Sequence, residues 1–255
     1  MHTNPNTYAI KMSSNIVDIS AKKHKIYVQN DLAEQVNHLW FSPDYWHNEN
    51  AIVGESSGRN TAYFIDALDK SMVLRRYYRG GLMAKLSKDS YLFTGYKSAR
   101  ASAEMIMLKA MHEMGLPVPR PIAAIVERTG LFYCKNAILI ERIENAVDAF
   151  QSLAENVWTT EMWFKLGQLI RRFHVKGVYH SDMNIHNILL DNVGNFWLID
   201  FDKCEFRKQN QGWQQETLNR LKRSLLKEQT KHPEFHFQEN NWQSLLNGYN
   251  SETDL

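Results

Sequence analysis

The stretch VYHSDMNIHNILLD, Val178 to Asp191, decides how the fold of this chain is interpreted. Two histidines, two aspartates, two asparagines and one serine lie in it among short apolar strips. So many titratable and amide side chains are typical of a polar loop between regular elements. Their spacing, H-x-D-x-x-x-x-N, separates Asp182 from Asn187 by four residues.

An aspartate at the end of the next apolar strip completes the pattern. WLIDFDK, residues 197–203, places Asp200 eighteen residues after Asp182. Phosphoryl transfer to a hydroxyl needs one carboxylate that accepts or orients the hydroxyl proton. It also needs an amide oxygen and a second carboxylate that hold Mg²⁺ against the nucleotide phosphates. We therefore interpret Asp182 as the catalytic base, and Asn187 and Asp200 as ligands of Mg²⁺ with bound ATP. The alternative is a polar loop with an Asp-capped turn.

The residues that contact the nucleotide phosphates are expected upstream, in a fixed order. VGESSGRNTAYFI, residues 53–65, offers a phosphate-covering turn with Gly54 and Gly58. The pattern G-x-G-x-x-G is absent, so a plain hairpin turn explains this stretch equally well.

An arginine stands where the phosphate-pairing lysine of such a strand belongs. In MVLRR that residue is Arg75, which can bind phosphate with two nitrogens. Glu104, in the next predicted helix, is its natural ion-pair partner. An exposed strand arginine and a solvated helix glutamate are the alternatives. Glu141, at the join of the two halves of the chain, completes the candidate nucleotide-binding residues.

Composition limits the class of protein. The chain has 255 residues, of which 44% are hydrophobic, enough for one large domain or two small lobes. A net charge of +2 does not favour nucleic acid as a partner, and two cysteines seventy residues apart fit a reducing cytosol. The polar start and the charge-interrupted apolar strips predict neither a secretory leader nor a membrane span.

The pattern along the chain predicts an α+β, protein-kinase-like fold of two lobes. Residues 1–143 form a small, sheet-rich N-lobe that includes the helix with Glu104, and residues 144–255 form a compact, helical C-lobe with the catalytic loop and metal site. Three prolines predict an extended connector in GLPVPRPIAA, residues 115–124. Strands are predicted in HKIYVQN, NTAYFIDAL and SMVLRRYYRG, one or two more in FYCKNAILIERI, and helices in SARASAEMIMLKAMHEMG, TTEMWFKLGQLIRRFHVKG and WQQETLNRLKRSLLKEQ.

Two departures from the protein-kinase pattern narrow the acceptor. Ser181 stands in place of the Arg of H-R-D, and Asp202 in place of the Gly of D-F-G. No A-P-E motif follows. These changes favour a small or lipid-linked hydroxyl acceptor over a peptide, without loop phosphorylation as a switch.

Five stretches together resemble the Kdo kinases of Gram-negative bacteria, within the lipopolysaccharide kinase family. The resemblance implies ATP-dependent phosphorylation of the 4-hydroxyl of 3-deoxy-D-manno-octulosonic acid (Kdo) on Kdo-lipid IV-A. It also implies lipopolysaccharide core synthesis at the cytoplasmic face of the inner membrane, with Asp182 as the active-site residue. The stretches are LRRYYRGGLMAKLSKDSYLF, GLPVPRPIAA, HSDMNIHNILLD, LIDFDKC and TLNRLKRS.

Two basic segments could hold such an acceptor or an anionic membrane surface. A solvated charged face over an ordinary core stripe explains them equally well. The first segment contains Arg75, Arg76, Arg79, Lys85 and Lys88, and the second contains Arg220, Lys222, Arg223 and Lys227.

Two other functions stay open from the residues alone. One is a kinase of another small hydroxyl, such as an aminoglycoside or a metabolite sugar, which would carry the same loop pattern. The other is a nucleotide-binding scaffold without turnover, which the missing strand lysine favours. Retention of Asp182, Asn187 and Asp200 together argues against the scaffold.

Overall fold

The structure is a computed structural model that describes residues 16–20, 24–56, 61–77 and 91–251. The chain divides into two compact units. The first unit is Met1–Ala110 with Pro119–Arg142, and the second is Met111–Val118 with Ile143–Leu255.

An antiparallel sheet forms most of the first unit. The strands lie in the order β1-β2-β7-β8-β5-β4-β3, and β6 pairs with β8. The predicted strands of this region are confirmed within the described residues, and FYCKNAILIERI forms one strand; residues 78–80 of SMVLRRYYRG lie outside that part of the chain. The strands are β1 Ile16–Ser20, β2 His24–Gln29, β3 Ile52–Glu55, β4 Ala62–Ala67, β5 Lys70–Arg76, β6 Tyr91–Leu92, β7 Pro121–Arg128 and β8 Tyr133–Glu141.

The two faces of β5 have different roles, because successive side chains point to opposite sides of a strand. Met72 and Leu74 are fully buried in an apolar core that includes Trp40 and Trp46. These tryptophans come from a 3-10 helix, His38–Phe41, and from α1, Pro43–Asn48. Arg75 lies on the other face, where it meets Glu104 of α2, Arg100–Glu113.

The proline-rich connector is shorter than predicted. Gly115, at a φ of +71°, follows α2 as expected for a helix end. The connector stops at Arg120, since Pro121 already begins β7. Proline is tolerated as the first residue of a strand because few ladder hydrogen bonds are lost there.

Helices form most of the second unit. A Cβ atom on Gly167 would lie 2.0 Å from the carbonyl oxygen of Leu245, and one on Gly248 would lie 1.9 Å from that of Phe164. Glycine at these two positions therefore lets the backbones of α4 and α6 touch. The elements are β9 Ala146–Asp148, α3 Ala149–Glu155, α4 Thr160–Val175, β10 Val178–Tyr179, a 3-10 helix Ile185–Asn187, β11 Ile188–Asp191, β12 Phe196–Leu198, β13 Glu205–Phe206, α5 Gln211–Lys231 and α6 Glu239–Asn250.

Two small antiparallel sheets complete the second unit. One has the order β12-β11-β9, and the other pairs β10 with β13. Within the described residues, no helix is long and apolar enough to cross a membrane.

Candidate active site

The catalytic loop lies between α4 and β11. After α4, Gly177 turns the chain at a φ of +74°, and its missing side chain leaves room for the carbonyl oxygen of Arg207, which a Cβ atom would approach to 2.5 Å. Inside the loop, the Asn184 side chain caps the 3-10 helix by accepting a 2.9 Å hydrogen bond from the His186 N–H. The strand after the loop begins at Ile188.

Strand pairing brings Asn187 beside the residue that precedes Asp200. In the β11–β12 ladder Ile188 is opposite Leu198. The Ile199 N–H donates to the carbonyl oxygen of Asn187 at 3.0 Å, which continues the pairing by one residue. The two predicted metal ligands therefore stand at neighbouring ends of paired strands.

The buried His180 side chain bonds the backbone of the catalytic loop and that of the residue before Asp200. Its Nε2 lies 3.0 Å from the carbonyl oxygen of Ile199, and its Nδ1 accepts a 3.3 Å bond from the Asp182 N–H. The amide of Asp182 can only donate, so Nδ1 is unprotonated and Nε2 carries the hydrogen that bonds Ile199. Burial lowers the pKa of His180, which agrees with this neutral form. These two backbone hydrogen bonds give His180 a structural role in the loop.

The side chains of Asp182 and Asn187 lie in different environments, one exposed and one buried in the loop. The Asn187 amide nitrogen donates a 2.8 Å hydrogen bond to the Asp182 carbonyl oxygen and fixes the backbone there. The Asn187 amide oxygen has no hydrogen-bond partner among the described residues. The carboxylate of Asp182 is exposed. A base needs this access, because it must reach the hydroxyl of an incoming acceptor.

Both residues that depart from the protein-kinase pattern take part in one contact. The Ser181 hydroxyl donates to the Asp202 carbonyl oxygen at 3.0 Å, and the Ser181 N–H lies 3.3 Å from the Cys204 sulfur. The loop is thereby tied directly to the segment after Asp200. A serine is short enough for this contact, whereas an arginine at the same position would carry its polar group far beyond it.

Asp200 and Asn187 offer oxygen ligands of the kind that Mg²⁺ prefers. Asp200 adopts a φ of +63°, a region that aspartate tolerates better than most residues and that is common at functional sites. Among the described residues, no group of three or more His, Cys, Asp or Glu is arranged to hold a metal ion. The two residues fit a Mg²⁺ ion that takes its other ligands from nucleotide phosphates and water. We name Asp182, Asn187 and Asp200 the loop cluster.

The first unit brings Arg75 and Glu104 together. One guanidinium nitrogen of Arg75 lies 2.7 Å and 2.8 Å from the two carboxylate oxygens of Glu104, which is 3% exposed. The Tyr77 hydroxyl also donates to Glu104, at 2.5 Å. Burial, and after it the charge of Glu104, hold the pKa of Tyr77 well above its usual range, so the phenol stays a donor. We name Arg75, Tyr77 and Glu104 the Arg75 cluster.

Tyr77 was not among the site residues predicted from the sequence. A usable signal was present, because Tyr77 lies two residues after Arg75 and continues the same face of β5. Arg100 adds a cation–π contact, with its guanidinium carbon 5.2 Å from the centre of the Tyr77 ring.

The other candidate nucleotide-binding residues lie apart from this contact. Gly54 sits in β3, where the ladder to β4 shifts register, and an added Cβ would lie 3.2 Å from the Phe64 ring. Glu141 ends β8 and accepts a 2.8 Å hydrogen bond from Arg120. Gly58 lies outside the described residues, as do Arg79, Lys85 and Lys88. The phosphate-binding roles of these residues stay predictions.

A cavity of about 230 Å³ in the first unit contains none of the predicted site residues. Its lining includes His24, His38, Arg76, Ile125 and Lys135. Arg76 and Ile125 belong to the sheet face of the apolar core, opposite the face that carries the Arg75 cluster. The cavity is therefore separate from the residues that we assign to the nucleotide.

Comparison with known proteins identifies relatives over most of the chain. Residues 43–249 match the model of the Lipopolysaccharide kinase (Kdo/WaaP) family. A 3-deoxy-D-manno-octulosonic acid kinase of Vibrio vulnificus (strain YJ016) is 44% identical over 212 residues, which are 83% of this chain and 89% of the relative. One from Photobacterium damsela subsp. piscicida is 40% identical over 227 residues, which are 89% of this chain and 94% of the relative.

A solved structure, WaaP in complex with acyl carrier protein, resembles this chain with a TM-score of 0.52 and 14% identity. The match covers 81% of this chain and 84% of that chain, and at this identity it shows the fold alone. Together the matches confirm the family resemblance, the kinase-like α+β fold and the class of enzyme, a phosphotransferase that acts on a hydroxyl group. The roles of individual site residues stay predictions.

Proposed function

The chain belongs to the lipopolysaccharide kinase (Kdo/WaaP) family, and on that basis we propose that it phosphorylates Kdo at the 4-hydroxyl on Kdo-lipid IV-A. The phosphoryl donor is ATP, and the reaction belongs to lipopolysaccharide core synthesis in a Gram-negative bacterium. The observation that supports this most directly is the loop cluster, since an exposed Asp182 carboxylate lies in the same loop as Asn187. Relatives that are 40% to 44% identical and are Kdo kinases favour the same acceptor.

The proposed reaction moves one phosphoryl group and one proton. The acceptor oxygen forms a bond to the terminal phosphorus of ATP, and the bond from that phosphorus to the bridging oxygen of ADP breaks. Asp182 accepts or orients the hydroxyl proton as the new bond forms. Asn187 and Asp200 would hold Mg²⁺, which supplies charge neutralisation on the phosphates when bound. Arg75, oriented by Glu104 and Tyr77, would contact the nucleotide phosphates.

Turnover with a panel of acceptors tests this function. Purified protein with Mg²⁺ and ATP is incubated with Kdo-lipid IV-A and, in parallel, with several aminoglycosides, and phosphorylated products are identified by mass spectrometry. We expect product only with the Kdo lipid. Phosphorylation of aminoglycosides alone would overturn the acceptor and support the kinase of another small hydroxyl. Nucleotide binding without turnover on any acceptor would favour the scaffold.

We also propose peripheral contact with the cytoplasmic face of the inner membrane. Three of the four residues of the second basic segment, all of them on α5, have a carboxylate partner, which reduces the positive charge available to a surface. The contact is therefore expected to be weak, with about 1 kcal/mol for each uncompensated Lys or Arg, and to be screened by salt. The pairs are Arg220 with Glu216 at 2.6 Å, Lys222 with Glu239 at 2.6 Å and Lys227 with Glu228 at 3.3 Å.

Flotation with liposomes tests the membrane contact separately from the reaction. Protein should float with anionic vesicles at low salt, should detach as salt rises, and should stay in solution with neutral phosphatidylcholine vesicles. Flotation that is equal on neutral vesicles would contradict an electrostatic contact and would leave the acceptor assignment standing.

A further inference from the structure

Three polar residues on α5 contact the catalytic loop at regular spacing. Arg220, Ser224 and Glu228 follow one another at intervals of four residues, so they lie along one side of the helix. The apolar residues Leu221 and Leu225 beside them are fully buried and fix how the helix is rotated about its axis. The polar residues form a row along the edge of this buried stripe.

Each member of the row meets a different part of the loop. A guanidinium nitrogen of Arg220 donates to the Ser181 carbonyl oxygen at 2.7 Å. The Ser224 hydroxyl accepts a 3.2 Å hydrogen bond from the Ile185 N–H. A carboxylate oxygen of Glu228, whose side chain is 6% exposed, lies 3.8 Å from Nε2 of His186. The contacts at Ser181 and Ile185 lie before and after Asp182 in the chain, and the contact at His186 is next to Asn187.

We propose that Arg220, Ser224 and Glu228 are positioning residues that hold the catalytic loop in its working conformation. We name them the α5 row. Two of its contacts are made to loop backbone, so they set the place of Asp182 without touching its carboxylate. Arg220 brings a guanidinium to Ser181, the residue that stands where protein kinases carry the arginine of H-R-D. The chain thus has a cation at this point of the loop, supplied by a helix 39 residues further on.

Glu216 keeps Arg220 in place for this contact. Its carboxylate accepts hydrogen bonds from Nη2 of Arg220 at 2.6 Å and from Nε at 3.2 Å, one turn earlier on the same helix. The third nitrogen, Nη1, is the one that reaches Ser181. A guanidinium held on two sides loses little freedom when it bonds the loop, which favours a fixed loop position.

Misplacement of a reacting group by about 1 Å can lower the rate about a hundredfold, so loss of such support should show in turnover. Arg220→Met and Ser224→Ala remove two of the contacts. Their matched controls are Lys165→Met, which removes a helix cation paired with Glu161 at 4.0 Å, and Thr230→Ala, which removes an α5 hydroxyl bonded to Leu226 within the helix.

The experiment measures loop protection and kinetics on the full-length variants. Hydrogen exchange of the segment 178–191 should become faster in Arg220→Met and Ser224→Ala, and should stay unchanged in both controls. In Arg220→Met we expect kcat to fall about tenfold to a hundredfold while KM for ATP stays within about twofold. Arg220→Lys should recover part of kcat, because it keeps a cation and a donor. If Arg220→Met does not fold, Ser224→Ala and Arg220→Lys carry the test.

The inference rests on the proposed function only for its kinetic readout. Should the wild-type protein fail to phosphorylate the Kdo lipid, the proposed function fails and hydrogen exchange still decides whether the α5 row holds the loop. Unchanged exchange in both α5 variants would overturn the inference. Faster exchange with unchanged kcat per folded molecule would also overturn it, because the loop position would then not matter for the reaction.

Discussion

The Arg75 cluster and the loop cluster use carboxylates in opposite ways. Glu104 is buried, and its oxygens bond a guanidinium and a phenol. Asp182 is exposed, and the bonds around it are made by its backbone, which His180 and Asn187 hold. At Glu104 the charge itself is satisfied, whereas at Asp182 the backbone is satisfied and the side chain stays exposed.

This difference separates residues that shape a site from residues that react in it. A buried carboxylate that loses its partner destabilises the fold, since an uncompensated charge remains inside. An exposed carboxylate contributes little to stability, so its removal should affect the reaction and leave the fold intact. The comparison predicts which property each substitution changes first.

The largest effect is expected for Asp200. Asp200→Asn keeps the size of the side chain and the tolerance for a φ of +63°, but it removes the negative charge. Metal ligands contribute several kcal/mol to transition-state charge stabilisation, so turnover should fall about a thousandfold. Calorimetry should show that Mg²⁺ no longer strengthens nucleotide binding, and thermal unfolding of the same variant separates this loss from any change in stability. Normal binding of Mg-ATP by this variant would remove Asp200 from the metal site.

A smaller effect, and of the other kind, is expected for Arg75. Arg75→Ala removes a guanidinium that bonds both carboxylate oxygens of the buried Glu104, so the free energy of unfolding should drop by about 3 kcal/mol. ATP use should weaken as well, and Arg75→Lys should keep a substantial part of both. Denaturant unfolding and KM for ATP are the measurements, with Arg76→Ala on the opposite face of β5 as the stability control. An Arg75→Ala protein as stable as Arg76→Ala would contradict the claim that Arg75 compensates the buried charge of Glu104.

A third effect, absent at neutral pH, is a pH dependence of stability that belongs to neither cluster. Burial, together with the charge of Arg171, lowers the pKa of His174 to about 3. An unfolded histidine titrates near 6.5, so between these values the unfolded chain binds more protons and acid favours unfolding. His174 therefore contributes up to about 1.4 kcal/mol per pH unit to the loss of stability as the pH falls through this window.

His174→Phe removes the titrating imidazole and with it this contribution to the pH dependence of unfolding. The phenyl ring can keep the edge contacts with Trp213 and Tyr249 but loses the 2.8 Å hydrogen bond to the Tyr249 hydroxyl, so stability at pH 8 should fall by about 1 kcal/mol. Chemical unfolding at several pH values between 3 and 8 should show a shallower slope than wild type. An identical slope would show that His174 is not the residue that couples acid to unfolding.

The local parts of the site could be predicted from the sequence. The spacing of Asp182, Asn187 and Asp200 fixes a loop and two short paired strands, because a hairpin needs only neighbouring residues to set its register. The pairing of Arg75 with Glu104 is predictable from the order of the elements. Their contact with Tyr77 follows from alternation along one strand.

Contacts between distant elements could not be predicted in the same way. The sequence indicates that α5 is amphipathic and basic. Its basic residues were predicted to hold an anionic acceptor or an anionic membrane surface, with a solvated face as the alternative. Which loop the polar edge of α5 meets depends on how Leu221 and Leu225 pack, and packing is a property of the whole unit. Arg220 therefore contacts Ser181, a role that its place in a run of basic residues did not reveal. Pro121 shows the same limit, since it begins a strand where the prolines predicted only a connector.

The most direct measurement compares nucleotide binding and phosphate transfer in one variant of the catalytic loop. Asp182→Asn keeps the backbone bonds to His180 and Asn187 and removes only the carboxylate charge. Loss of a general base typically costs about a hundredfold or more, so transfer from ATP to Kdo-lipid IV-A should fall at least that far while Mg-ATP binds with wild-type affinity. Asp191→Asn, at the last residue of β11, should transfer phosphate at the wild-type rate. Near-normal transfer by folded Asp182→Asn protein would contradict the assignment of Asp182 as the reacting carboxylate.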